Sequence, residues 1–90
     1  MGFFDRMLRS VNNFALEQFG IKRPKDAINF MERLIDSRRD DEDKVKYAKF
    51  VTAWLNKLSL SGSSEADYVL DYLRNSYKIS FFCEKNCIRL

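Results

Sequence analysis

The chain lacks histidine altogether, and it has only one proline, three glycines and two cysteines among its 90 residues. Without histidine, the commonest general acid and base is missing, and the hydroxyl and thiol side chains have no imidazole to activate them as nucleophiles. No glycine-rich phosphate loop is present either. These absences argue against an enzyme, and they predict neither a catalytic residue nor a cofactor.

The scarcity of glycine and proline also restricts the fold. All-β domains need many tight turns, and such turns usually need these two residues, so a fold built of strands alone is disfavoured. No apolar run approaches the roughly 20 residues of a membrane-spanning helix, and Asp5, Arg6 and Glu17 interrupt the stretch where a signal peptide needs an apolar core. The sequence therefore predicts a single cytoplasmic domain over residues 1–90.

The two cysteines, Cys83 and Cys87, lie four residues apart. Zinc prefers four cysteine or histidine ligands, so one chain cannot complete a site, and pooling by two subunits is the weakest interpretation. A disulfide across a short turn is geometrically feasible, but a cytosolic chain normally keeps its thiols reduced. Two small half-buried apolar residues are the favoured interpretation, and no metal is predicted.

Apolar residues recur at helical spacing along most of the chain. The pattern predicts helices over residues 3–19, 24–37 and 41–58, and a fourth that begins at a capping Ser64. Gly20 is placed to end the first of them in a left-handed conformation. The residues predicted to face the core are Ala27, Ile28, Met31, Leu34 and Ile35 in the second helix, Ala48, Val51, Leu55 and Leu58 in the third, and Ala66, Val69, Leu70 and Leu73 in the fourth.

The segment from residue 77 to residue 90 changes character. Polar and apolar residues alternate from Lys78 to Phe81, and a short polar stretch at 84–86 has the length of a turn, which favours a β-hairpin packed on the helices. The rival interpretation extends the fourth helix, because Leu73, Tyr77 and Phe81 keep a spacing of four. The predicted fold is thus all-α, a small four-helix bundle, with the hairpin preferred at its C-terminus.

The formal net charge of +3 comes from a slight basic excess in the N-terminal half, so no strong basic patch is indicated. Nucleic-acid contacts, if the chain makes any, are predicted at Arg38 and Arg39 in a loop and at Lys46 and Lys49 on the third helix. The acidic run 40–43 at the start of that helix repels phosphate. We therefore expect nucleic-acid binding to be weak and non-specific.

Four aromatic residues are left over once the predicted core is filled. Phe30 lies off the stripe of the second helix, Tyr68 and Tyr72 lie on a flank of the fourth, and Phe82 points away from Phe81 if the segment is a strand. A monomer rarely exposes several large aromatics together, and protein interfaces are enriched in them. These residues are predicted to form a partner-binding or self-association patch, with Tyr72 and Phe82 as its anchors.

The favoured function is non-enzymatic recognition of another protein, by an inhibitor, an immunity protein, an adaptor or a phage-encoded regulator. That choice rests on size and composition, and homo-oligomerisation is compatible with it. The first alternative is a nucleic-acid-binding regulator that uses the arginines and lysines above. The second is a membrane-surface protein that uses the amphipathic helix at 3–19, although the apolar face of that helix is better explained as core.

Overall fold

The computed structural model describes residue 16 and residues 19–90. In this part the chain forms the helices α1 (Asp26–Asp36), α2 (Asp41–Leu60), α3 (Ser64–Asn75) and α4 (Tyr77–Lys85), with no strand between residues 19 and 90. The predicted all-helical class is confirmed for these residues. The helix predicted over residues 3–19, and with it the basis of a membrane-surface role, lies outside the described residues except at two positions near its end.

Those two positions, Leu16 and Phe19, precede a helix stop of the predicted kind. Gly20 has a φ of 76°, and the Ile21 amide donates to the Leu16 carbonyl over 2.8 Å. This bond spans a residue in the left-handed conformation, which a glycine adopts without steric cost. Leu16 and Ile21 are both buried, so the turn also seats the connector to α1 on the core.

The core forms where α1 and α3 each pack against the other three helices, with the most extensive contact between α2 and α3. The helical stripes are confirmed here: all four predicted residues of α3 are buried, and Ile28, Ile35 and Leu58 are the only predicted positions of α1 to α3 that remain partly exposed. Truncating a fully buried leucine such as Leu55 costs about 2–5 kcal/mol in proteins generally. These stripes therefore hold the bundle together.

The connection between α2 and α3 differs from the prediction by one residue. The N-cap of α3 is Ser63, whose hydroxyl oxygen accepts from the Ala66 amide over 3.1 Å, and Ser64 is the first helical residue. Asp67 makes no capping box, because its carboxylate accepts instead from the Ser59 hydroxyl. Ser63 and Ser64 are adjacent, and serine is a favoured N-cap residue, so the sequence alone does not decide which of the two caps the helix.

The C-terminal hairpin is wrong, because residues 77–85 form α4. Ser76 ends α3 with extended backbone angles (φ −83°, ψ 114°), and its hydroxyl oxygen accepts from the Ile79 amide to cap α4. Ile79 and Cys83 are buried at a helical spacing of four. An alternation over only four residues fits the period of a strand as well as that of a helix, and the cap at Ser76 favours the helix. Continuation of α3 is wrong as well, since Ser76 interrupts the helix.

The end of α4 replaces the predicted hairpin turn. Cys87 has a φ of 58°, the Ile88 amide donates to the Cys83 carbonyl over 2.8 Å, and the Cys87 amide donates to the Glu84 carbonyl over 3.2 Å. These are the two bonds of a Schellman motif, with a cysteine where glycine is usual. A β-carbon in the left-handed region costs roughly 1–2 kcal/mol, so this helix end is strained.

We predict that Cys87→Gly raises the free energy of unfolding by about 0.5–1 kcal/mol, because relief of the strain exceeds the added entropy of glycine in the unfolded chain. Urea denaturation measures the change. The matched control is Gly62→Ala at the equivalent position after α2, where φ is 96°, and this variant should lose about 1 kcal/mol. A Cys87→Gly protein less stable than the parent would contradict the assignment of strain.

Two carboxylates hold the connector before α1. Asp26 Oδ2 accepts from the amides of Lys22 and Arg23 over 2.9 and 3.0 Å, and these bonds, with the two cations, hold the pKa of Asp26 below its ordinary value. Glu65 on α3 accepts from the Lys25 amide and the Arg23 guanidinium, both over 3.2 Å. Partial burial of Glu65 raises its pKa, but these hydrogen bonds and charges outweigh it and the pKa is lowered.

A carboxyl group whose pKa is lower in the folded state than in the unfolded state stabilises the protein at pH values above the unfolded pKa. This stabilisation is lost as the pH falls through the folded pKa. We therefore expect the parent to lose stability steadily below pH of about 4. Asp26→Asn and Glu65→Gln should each be less stable at neutral pH and show a shallower loss on acidification. Thermal melts across pH test this, and acid profiles parallel to that of the parent would refute it.

Candidate functional site

An aromatic pair stands out on the surface of α4. Tyr77 is 82% exposed and Phe81 is 55% exposed. Their rings stack with centroids 6.0 Å apart and an angle of 20° between the planes, as expected for residues four apart on one helix face. Large apolar side chains that remain exposed together are typical of interaction surfaces.

The pair borders a groove between α4, the end of α1 and the start of α2, here called the α4 groove, with a volume of about 420 Å³. It is lined by Ile35, Asp41, Lys44, Tyr77, Lys78, Phe81, Phe82, Lys85 and Asn86. The half-buried Ile35 and Phe82, which also pack against the core, give it apolar walls. A volume in the lower part of the range for ligand sites suits one or two side chains of a partner.

The charged groups of the α4 groove are partly engaged. The Lys44 ammonium donates to the Ile35 carbonyl at the end of α1 over 2.9 Å, which suits the negative end of the helix dipole. Lys78 forms an ion pair with Asp36. Lys85 forms no ion pair with any described residue, so it is the cation at the groove that is available to a carboxylate.

The predicted aromatic patch is only partly exposed. Tyr68 and Tyr72 lie exposed on α3 as expected, and the Lys25 ammonium sits over the Tyr68 ring at 5.9 Å from its centroid. Phe30 is half-buried because Phe19 stacks on it at 4.9 Å, and Phe82 is half-buried because the helical register turns it to the core. The two best-placed surface aromatics, on α4, were not predicted.

The predicted nucleic-acid residues are exposed but not assembled. Arg38 and Arg39 lie in the loop before α2, and the Arg39 guanidinium covers the Tyr47 ring at 5.3 Å. Lys46 and Lys49 lie one and two turns into α2. The exposed carboxylates of residues 41–43 separate the two groups, so the chain offers no continuous basic strip across this region.

Lys49 belongs to a second depression, here called the α2 groove, with a volume of about 760 Å³. It is lined by Lys49, Thr52, Ala53, Asn56, Lys57, Ser59, Leu60, Cys87, Ile88 and Arg89. It runs between the C-terminal half of α2 and the segment that follows α4. The sequence indicated the lysines of α2, but nothing in its spacing indicated that Arg89 returns beside them.

The cysteines are both free thiols, and their environments differ. Cys83 is buried on the inner face of α4, and burial raises the pKa of its thiol to about 11. Cys87 is exposed at the end of the same helix. A cysteine binds a metal as its thiolate, so the raised pKa makes Cys83 poorly suited to be a metal ligand. Among residue 16 and residues 19–90, no three cysteine or carboxylate side chains are grouped for metal binding.

Each helix in the described part of the chain is too short or too polar to cross a lipid bilayer. Comparisons with models of known protein families, with curated proteins and with solved structures find no match.

The contrast between the thiols gives a labelling prediction. At neutral pH, Cys87 should react with an alkylating reagent within minutes, whereas Cys83 should react only as the protein unfolds, because reaction requires an accessible thiolate. Mass spectrometry should find a single label on the native parent and none on native Cys87→Ser. Two labels at equal rates on the native parent would show that α4 opens readily or that Cys83 is not buried.

Proposed function

We propose that this protein is a non-enzymatic recognition module that binds another protein at the α4 groove. The observation that carries the proposal is the stacked pair of Tyr77 and Phe81, which a helix of this bundle presents to solvent. Interfaces are enriched in aromatic residues, and a few such anchors supply most of the binding free energy. The half-buried Phe82 and Ile35 behind the pair favour an apolar side chain of the partner as occupant.

The charges at the groove favour a particular kind of partner segment. Lys78 is paired with the Asp36 carboxylate, and a backbone carbonyl holds the Lys44 ammonium at the end of α1. Lys85 faces the groove without such a partner among the described residues. A segment with an apolar anchor flanked by a carboxylate would place the anchor beside Phe81 and the carboxylate near Lys85. Such a charge pair at the rim contributes more to partner choice and association rate than to affinity.

The other functions are less well supported by the arrangement. Nucleic-acid binding through Arg38 and Arg39 would have to displace the contact of Arg39 with Tyr47 and overcome the nearby acidic run. Self-association through the α4 groove uses the same surface as the proposal, with a second copy as the partner. The oligomeric state of the protein therefore distinguishes these two kinds of partner.

We predict that Phe81→Ala weakens partner binding by tenfold or more, about 1.4 kcal/mol, because the ring is an exposed anchor. The variant should stay folded, since exposed side chains contribute little to stability. A photo-crosslinking residue at position 77 identifies the partner in a native lysate, and titration with the purified partner gives the affinity.

Tyr68→Ala is the matched control, since Tyr68 is an exposed aromatic residue on α3 outside the α4 groove. It should bind within about twofold of the parent, as most interface-remote truncations do. Retention of full affinity by a folded Phe81→Ala protein would rule out the α4 groove. Sedimentation of the parent and of Phe81→Ala distinguishes a second copy from a different protein.

A further inference from the structure

The α2 groove has charged lining residues of one sign only. Lys49, Lys57 and Arg89 line it, and none of its other lining residues is acidic. Asp67, whose carboxylate accepts a hydrogen bond from the Ser59 hydroxyl, does not line it. A concave surface that gathers cations without carboxylates concentrates a positive potential, and such surfaces attract anions.

The fold assembles this cationic lining from two separate parts of the chain. Lys49, Ala53 and Lys57 follow one another at intervals of four on α2, so they share a helix face, and the small Ala53 leaves space between the lysines. The reversal at the end of α4 returns the chain to α2, where the buried Ile88 anchors it. The Asn56 side chain then donates to the Arg89 carbonyl over 3.3 Å. Arg89 is thereby held at the opposite side of the groove.

Lys57 supplies the second, independent observation. Its ammonium is buried and has no hydrogen-bond partner among the described residues. The C-terminal end of α2 carries the negative pole of the helix dipole, which favours a cation there, but the Lys57 ammonium makes no hydrogen bond to the carbonyls of that end. A ligand with acceptor oxygens would supply the hydrogen-bond partner that this ammonium lacks.

The chemistry of the groove selects the class of ligand. A phosphate group brings nearly two negative charges and three strong acceptor oxygens, which match three cations better than a single carboxylate does. Leu60, which is 90% exposed, and Ala53 add apolar surface beside the cations. The volume of about 760 Å³ lies within the range of small-molecule sites.

We propose that the α2 groove binds a phosphate-bearing small molecule. Its phosphate lies between Lys49, Lys57 and Arg89, and its apolar part lies against Leu60 and Ala53. The lysine stem is flexible, so the Lys57 ammonium turns into the groove when an acceptor enters it. The site is separate from the α4 groove and does not depend on the function proposed for that surface.

The first test titrates the full chain with phenyl phosphate, inorganic phosphate and benzoate, and follows the backbone amides by NMR at about 0.15 M ionic strength. Phenyl phosphate should give saturable shifts at the amides of residues 57–60 and 87–89. Inorganic phosphate should bind more weakly because it lacks the apolar part, and benzoate should also bind more weakly because it carries a single charge. Shifts confined to other residues, or tighter binding of benzoate, would overturn the proposal.

The second test compares Lys57→Met with Lys46→Gln, which removes the same charge from α2 outside the groove. Lys57→Met should bind phenyl phosphate about tenfold or more weakly, and Lys46→Gln should stay within about twofold of the parent. Without ligand, Lys57→Met should also melt at a higher temperature, since methionine removes an unpartnered buried charge while keeping most of the volume.

Equal losses of affinity in Lys57→Met and Lys46→Gln would show that only the overall positive charge attracts phenyl phosphate, and this result would overturn the proposed site. A lower melting temperature for Lys57→Met would show that the protein itself satisfies the ammonium, which also overturns it. Arg89 is exposed, so the second variant, Arg89→Gln, should fold like the parent. It should also bind phenyl phosphate more weakly. Saturable binding of single-stranded oligonucleotides or anionic vesicles without binding of phenyl phosphate would replace the small-molecule ligand by a macromolecular one.

Discussion

The break at Ser76 determines which side chains of the C-terminal segment reach solvent. Ser76 ends α3 and caps α4 with one residue in extended geometry. Had α3 continued through it, Tyr77 and Phe81 would have followed Leu73 at intervals of four and faced the core. The break resets the register, so that Ile79 and not Tyr77 is the next buried residue after Leu73. The exposed aromatic pair is thus a consequence of a single non-helical residue.

The same short helix contributes to both grooves. Its outer face provides the aromatic pair of the α4 groove, while the reversal at Cys87 carries the chain to α2 and completes the α2 groove with Ile88 and Arg89. The inner residues Ile79 and Cys83 fix α4 against the bundle. Because α4 has only nine residues, its stability must come mostly from this packing and from its caps. Loosening α4 would therefore disturb both surfaces together.

The sequence was sufficient wherever a long periodic pattern was available. The helices over 24–37 and 41–58 are found within two residues at each end, and the inward residues of α3 were all identified, because an apolar stripe over three turns fits only one period. The C-terminal segment was misassigned for the opposite reason. Four alternating residues fit a strand and a helix equally. The backbone geometry at Ser76 and Cys87 distinguishes the two, and single residues of this kind do not appear in the apolar periodicity of the sequence.

The candidate surfaces were harder to predict than the helices, because they depend on contacts between distant segments. Phe30 is off the stripe of α1, yet Phe19 from the connector stacks on it, so a helical wheel wrongly leaves it exposed. Arg89 lies 32 residues from Lys57 in the chain, and only the reversal after α4 places them in one groove. Periodicity describes each helix separately, whereas exposure is decided by everything that packs on it.

The distribution of charge on the surface also depends on the fold and not on the sequence alone. A net charge of +3 is too small to indicate a basic surface by itself, and the balanced counts along the sequence suggested an even distribution. In the fold, however, carboxylates such as Asp26, Glu65 and Asp36 are occupied by the connector and by Lys78. The cations that line the α2 groove form no ion pair with the described carboxylates. Local potential follows from where the opposite charges are engaged, so a nearly balanced chain still has a depression whose charged lining residues are all cations.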